Sequence, residues 1–101
     1  ESATHNSKSQ DMLLSCDYLY SFSKEWNAAK EHIDYIIVLF IIAMLRNKDV
    51  SYKRLKYIYS RQNIGVLKHG PMYQIFFSLF AKLNFYVSCK MITLYIKWRK
   101  C

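Results

Sequence analysis

The run "DYIIVLFIIAMLR", residues 34–46, constrains the fold more than any other stretch of this chain. Between Asp34 and Arg46 stand eleven apolar or aromatic residues, Tyr35 to Leu45. Such a run must leave water, either into a bilayer or into a protein core. A membrane-crossing helix needs about 20 apolar residues, and runs of about 10–14 belong more often to buried core helices. Upstream, Asn27, Lys30, Glu31 and Asp34 form a polar stripe at helical spacing. The stripe continues through Val38, Ile41 and Leu45, which are apolar. The pattern predicts a helix that starts half-exposed and ends enclosed by protein. It does not predict an integral membrane protein.

The other segments organise around that spine. The chain has 101 residues with only two glycines and one proline, which disfavours a sandwich or barrel of short strands and tight turns. The expected fold is all-α, a compact bundle of four or five helices around a buried central helix over about residues 24–46. Residues 1–8, "ESATHNSK", are polar and without periodicity, and are expected to form a flexible tail ahead of a single helical domain over 9–101. Ser9 or Asp11 suits the cap of a first helix, with a break at Ser21 or Ser23 and Ser23 capping the second. Asp49 suits the cap of a third helix, "VSYKRLKYIYSR", residues 50–61. Gly65 suits a left-handed position after it. Pro71 suits the first residue of a fourth helix, in which Gln74, Ser78 and Lys82 form a polar line. A break is expected near Asn84. Residues 84–98 allow a strand by composition, but Lys90, Thr93, Lys97 and Lys100 recur at helical spacing. That spacing predicts a helix.

Charge is the most informative functional feature. The net charge is +8, from 15 basic and 7 acidic residues. Residues 1–49 hold all seven carboxylates against five bases, a net of −2; residues 50–101 hold ten bases and no acid, a net of +10. A surface so one-sided attracts polyanions and acidic protein segments across a Debye length of about 8 Å at physiological salt.

Two kinds of partner fit. Basic residues interleaved with aromatics in "YKRLKYIYSR" and "KWRK" suit phosphate contact and base stacking. Against this, Tyr52, Leu55 and Ile58 read more readily as core, with the lysines a solvated face. No zinc-finger spacing, RNA-recognition aromatic motif or Gly-rich phosphate loop is present. Four arginines against eleven lysines also weigh against base readout. An acidic or amphipathic segment of another protein, held in a groove between helices and oriented by its basic rim, is at least as good a candidate. A second copy of the chain is a further candidate. The nine tyrosines, six phenylalanines and two tryptophans exceed what so small a helical core needs, and such residues are enriched at interfaces. The candidate partner contacts are Lys53, Arg54, Lys56, Tyr57 and Arg61 on helix three, Lys68 after it, Tyr73 on helix four, and Lys97, Trp98 and Arg99 near the end.

Catalysis has little support. No two carboxylates share a bare apolar face, His5 lies in the tail, and His32 reads as structural. His69 in "KHGP" is the one histidine in a loop suited to a site. Cys16, Cys89 and Cys101 lack CxxC spacing, which argues against zinc and thioredoxin-like chemistry. No cofactor is implied. Glu1 in place of Met predicts a fragment or processed form. The odd cysteine count points to a reducing compartment.

The sequence therefore predicts a non-catalytic helical interaction domain of a larger protein. The alternatives are a nucleic-acid-binding module and a small secreted helical effector or cytokine-like protein, which a disulfide between two of the three cysteines would mark.

Overall fold

The computed structural model describes residues 2–100, with side chains from Ser9 to Arg99. Five α-helices follow one another: α1 (Ser2–Glu25), α2 (Lys30–Asn47), α3 (Tyr52–Gln62), α4 (Met72–Leu83) and α5 (Phe85–Lys100). The fold is an all-α bundle with no strand among the described residues. No helix among them is long and apolar enough to cross a membrane. Of residues 84–98, compatible with a strand by composition, all but Asn84 belong to a helix.

Several boundaries differ from the expected ones, each for a local reason. The backbone of α1 is helical from Ser2, ahead of the start placed at Ser9 or Asp11; the side chains of the expected tail, residues 1–8, lie outside those described. The Ser9 hydroxyl donates to Asp49 instead of capping a helix. α1 also runs through Ser21 and Ser23 and ends at Glu25, and the ring of Trp26, the next residue, stacks on Phe22 at 5.7 Å. Ser23 donates to the carbonyl of Tyr20 and accepts from Gln62, so it ties α1 to α3 instead of starting α2. A 3₁₀ turn, Asn27–Ala29, intervenes.

Asp49 being engaged by Ser9, the cap of α3 falls to Ser51, whose oxygen accepts from the N–H of Arg54. The left-handed residue after α3 is Asn63 at φ 53°, a residue that tolerates this conformation, so Gly65 is not needed there. Gly70 is the glycine the chain requires: its φ is +121°, and a Cβ would stand 2.6 Å from the Tyr35 ring. Pro71 sits one residue before α4, and its carbonyl accepts from Gln74 and Ile75. Asn84 alone joins α4 to α5. Its N–H ends α4 on the carbonyl of Phe80, and its side chain accepts from Val87 to start α5.

α2 is the spine. Ile37, Val38, Ile41 and Met44 are fully buried and meet Cys16 of α1, Leu55 of α3, Phe77 of α4 and Cys89 of α5 in one core. Burial of each such side chain is worth about 1.5–3 kcal/mol. The polar stripe of α2 goes inward at Asp34, which accepts from Lys30 at 2.8 Å and Gln62 at 2.9 Å. The Lys30 ammonium also donates to the carbonyls of Gln62 and Asn63, a cation at the negative end of α3. The radius of gyration, 13.4 Å, matches the roughly 13 Å of a folded domain this long, so exposed apolar surface does not come from a loose chain.

α4 departs most from expectation. Gln74 and Ser78, two of its three polar residues, are fully buried, and only Lys82 of that line reaches solvent. Nine of the twelve α4 residues are apolar or aromatic, more than one face of a surface helix can cover.

Candidate functional site

With Gln74 and Ser78 turned inward, the opposite side of α4 faces out. It carries Met72, Phe76, Leu79 and Leu83, an i, i+4, i+7, i+11 stripe along one helix face. α5 repeats the spacing with Val87, Met91, Leu94 and Trp98. The two helices run antiparallel, since Tyr73 near the start of α4 stacks on Tyr95 near the end of α5 at 6.2 Å. The stripes therefore lie side by side. Leu83 is 79% exposed, Trp98 75%, and Leu94 and Met72 65% each. At roughly 150–250 Å² per large side chain, the eight expose on the order of 900 Å². The largest apolar patch on a typical monomer is about 300–600 Å².

Between the stripes lies a recess of about 200 Å³, lined by Phe76, Phe77, Phe80, Ser88, Met91, Ile92 and Tyr95. Ser88 turns its hydroxyl to the carbonyl of Asn84, so the recess presents carbon. Cations fringe the face. Lys56 and Lys82 share a cleft beside the Asn84 turn. Arg46 and Arg99 line another at the open end of the hairpin, with Tyr73 and Tyr95. Lys90 is exposed three residues after Val87, on the flank of α5 away from α4.

The ten expected partner contacts do not converge. Lys53, Arg54, Tyr57 and Arg61 line a cleft between α1 and α3 with Asp17. Arg61 is occupied there: its guanidinium pairs with Asp17 and lies over the rings of Tyr20 and Tyr57. Lys56 lies beside the turn, its ammonium 5.3 Å from the Tyr86 ring centroid. Lys68 lines a recess with His32, His69 and Glu31. Tyr73, Lys97, Trp98 and Arg99 belong to the hairpin. Sequence reasoning did not single out Met72, Phe76, Leu79, Leu83, Val87, Met91 or Leu94. The available signal was the repeated stripe spacing on a helix apolar on almost every side.

Among the described residues no three of His, Cys, Asp and Glu lie together as a metal site. His32 and His69 are both exposed on their shared recess, and His5 lies outside the described side chains. Cys16 and Cys89 are free and buried and are not joined to each other; Cys101, the third cysteine of the secreted alternative, lies outside the described residues.

Burial pushes the Cys16 thiol up to about 11, with the Asp17 charge adding to it against Arg61, and pushes Cys89 up to about 12. Burial, then the charge of Asp34, pushes Tyr59 up to about 12. All three groups ionise more easily in the unfolded chain, at 9.0 for the thiols and 10.0 for the phenol. The stabilisation is therefore complete below about pH 9 and is lost as pH rises towards 12. Urea midpoints are expected to fall steadily from about pH 9 upward; a midpoint that rises there contradicts this.

Compared with known protein families, curated proteins and solved structures, the chain matches none.

Proposed function

We propose that this chain is a non-catalytic helical interaction module that docks a helix of a partner protein on the outer face of the α4–α5 hairpin. The observation that carries this reading is the orientation of α4. Two of its polar residues are buried while Met72, Phe76, Leu79 and Leu83 face water. A chain folding alone gains by the reverse arrangement, so a partner covering those residues accounts for it. The area fits. On the order of 900 Å² of exposed apolar side chain matches the roughly 800 Å² each partner contributes to a standard interface. The form fits too, because two parallel stripes with a recess between them receive a helix whose anchors recur at i, i+3, i+4 and i+7.

The test is the affinity of a labelled synthetic helix with one leucine face and glutamine elsewhere, read by fluorescence anisotropy. Phe76→Asp and Leu94→Asp are each expected to weaken binding by at least about tenfold, roughly 1.4 kcal/mol. Both sites are exposed, so thermal midpoints should stay close to the parent's. Binding that ignores both substitutions would reject this face. Binding to nucleic acid that falls steeply with salt and ignores them too would favour a phosphate-binding module instead.

A further inference from the structure

Resting on that docking reading, we infer that the partner is an amphipathic helix with acidic flanks, whose central apolar side chain enters the recess between Phe76, Phe80, Met91 and Tyr95. Two observations carry the inference. The first is the sign of the fringe. Lys56 and Lys82 stand at the turn end of the face, Arg46 and Arg99 at the open end, and Lys90 along the outer flank of α5. No carboxylate lines any of the three recesses on or beside the hairpin, and none exists in residues 50–101. The centre of the face is apolar and its rim is positive. An occupant with acidic residues on both sides of an apolar stripe meets both, and it is also drawn in by long-range attraction.

The same fringe disfavours a second copy. A two-fold contact sets a patch against itself, so the basic rim of one molecule would meet the basic rim of the other. Like charges brought together in this way discriminate against an association.

The second observation is the recess. Its volume of about 200 Å³ and its aromatic and methionine lining suit one large apolar side chain, since an apolar cavity of about 150 Å³ takes up benzene. A helix offers such a side chain at a fixed place. A bilayer surface would lie across the stripes and has no need of the recess.

The experiment compares three synthetic helices of about five turns, identical on the leucine face and flanked by glutamate, glutamine or lysine. Each is titrated into the intact protein by anisotropy. The glutamate helix is expected to bind at least about tenfold tighter than the glutamine helix, with the gap closing at about 0.5 M salt. In the double variant Lys82→Glu/Lys90→Glu, the preference should pass to the lysine helix. Equal binding of the glutamate and glutamine helices, with Phe76→Asp still abolishing both, would overturn the acidic partner and leave the docking face standing. Failure of all three to bind a folded, monomeric protein would overturn the docking face itself. A dimer in light scattering that Phe76→Asp dissociates would replace the acidic helix by a second copy. Binding to phosphatidylserine vesicles with no peptide binding would replace it by a membrane surface.

Discussion

Phe77→Ala is expected to remove a large part of the stability of this protein, while Phe76→Ala, one residue away, should remove little. Phe77 is fully buried. Its ring meets Tyr59 of α3 edge-on at 5.9 Å and Phe85 of α5 edge-on at 6.0 Å, and those two rings lie 5.6 Å apart. This triangle fastens the hairpin to the rest of the bundle, and the Tyr59 hydroxyl donates to the carbonyl of Ser78 beside it. Truncating a buried phenylalanine costs about 3–5 kcal/mol, because apolar transfer is lost and a cavity remains. Total stability for such a domain is about 5–15 kcal/mol. At about 4–8 °C per kcal/mol, the thermal midpoint should fall on the order of 20 °C. Phe76 is 48% exposed, and its truncation should cost under about 1 kcal/mol. Urea unfolding of the pair with a constant slope measures the difference directly. Equal losses at the two positions would mean that α4 packs in a different rotation, and the outward face would disappear with it.

Gln74→Met should have the opposite sign. Gln74 is fully buried, and neither its side-chain oxygen nor its nitrogen has a hydrogen-bond partner. Its main-chain carbonyl is occupied by the Ser78 hydroxyl, and its side-chain oxygen lies close to Gly70, which the Tyr35 ring also approaches. A buried polar group left unpaired costs about 1–3 kcal/mol. Methionine is unbranched, close in length and as good a helix former, so the substitution is expected to stabilise by about 1–3 kcal/mol, the size of the penalty it removes. The urea midpoint should rise. Gln74→Ala separates the causes, since it removes the unpaired amide and leaves a cavity; it should fall well below Gln74→Met. A loss of stability in Gln74→Met would show that the amide is bonded after all.

What makes Gln74 costly also shows where local reasoning runs out. That this chain is helical, that residues 35–45 form its spine and that its second half is basic were all legible in the residues alone. Each of these follows from short-range pattern: an eleven-residue apolar run, polar residues at helical spacing, and a count of charges. The break at Asn84 was legible for the same reason. Other boundaries were not, because a capping side chain answers to whatever meets it in space. Ser9 took Asp49 from the start of α3, and Ser23 was claimed by Gln62.

Which side of α4 faces in depends on its packing against the rest of the bundle. A helix with nine apolar residues in twelve has no periodic signal strong enough to choose. The choice fell to shape: Ser78 and Ala81 are small enough to bring α4 close to the bundle, Phe77 completes the aromatic triangle, and Gln74 is carried inward beside them. Packing also dispersed the basic residues that sequence placed together, pairing Arg61 with Asp17 forty-four positions away. Spacing along one helix could not show that Met72, Phe76, Leu79 and Leu83 lie beside Val87, Met91, Leu94 and Trp98. That neighbourhood depends on a one-residue turn folding two helices antiparallel, a contact between elements that no local pattern encodes.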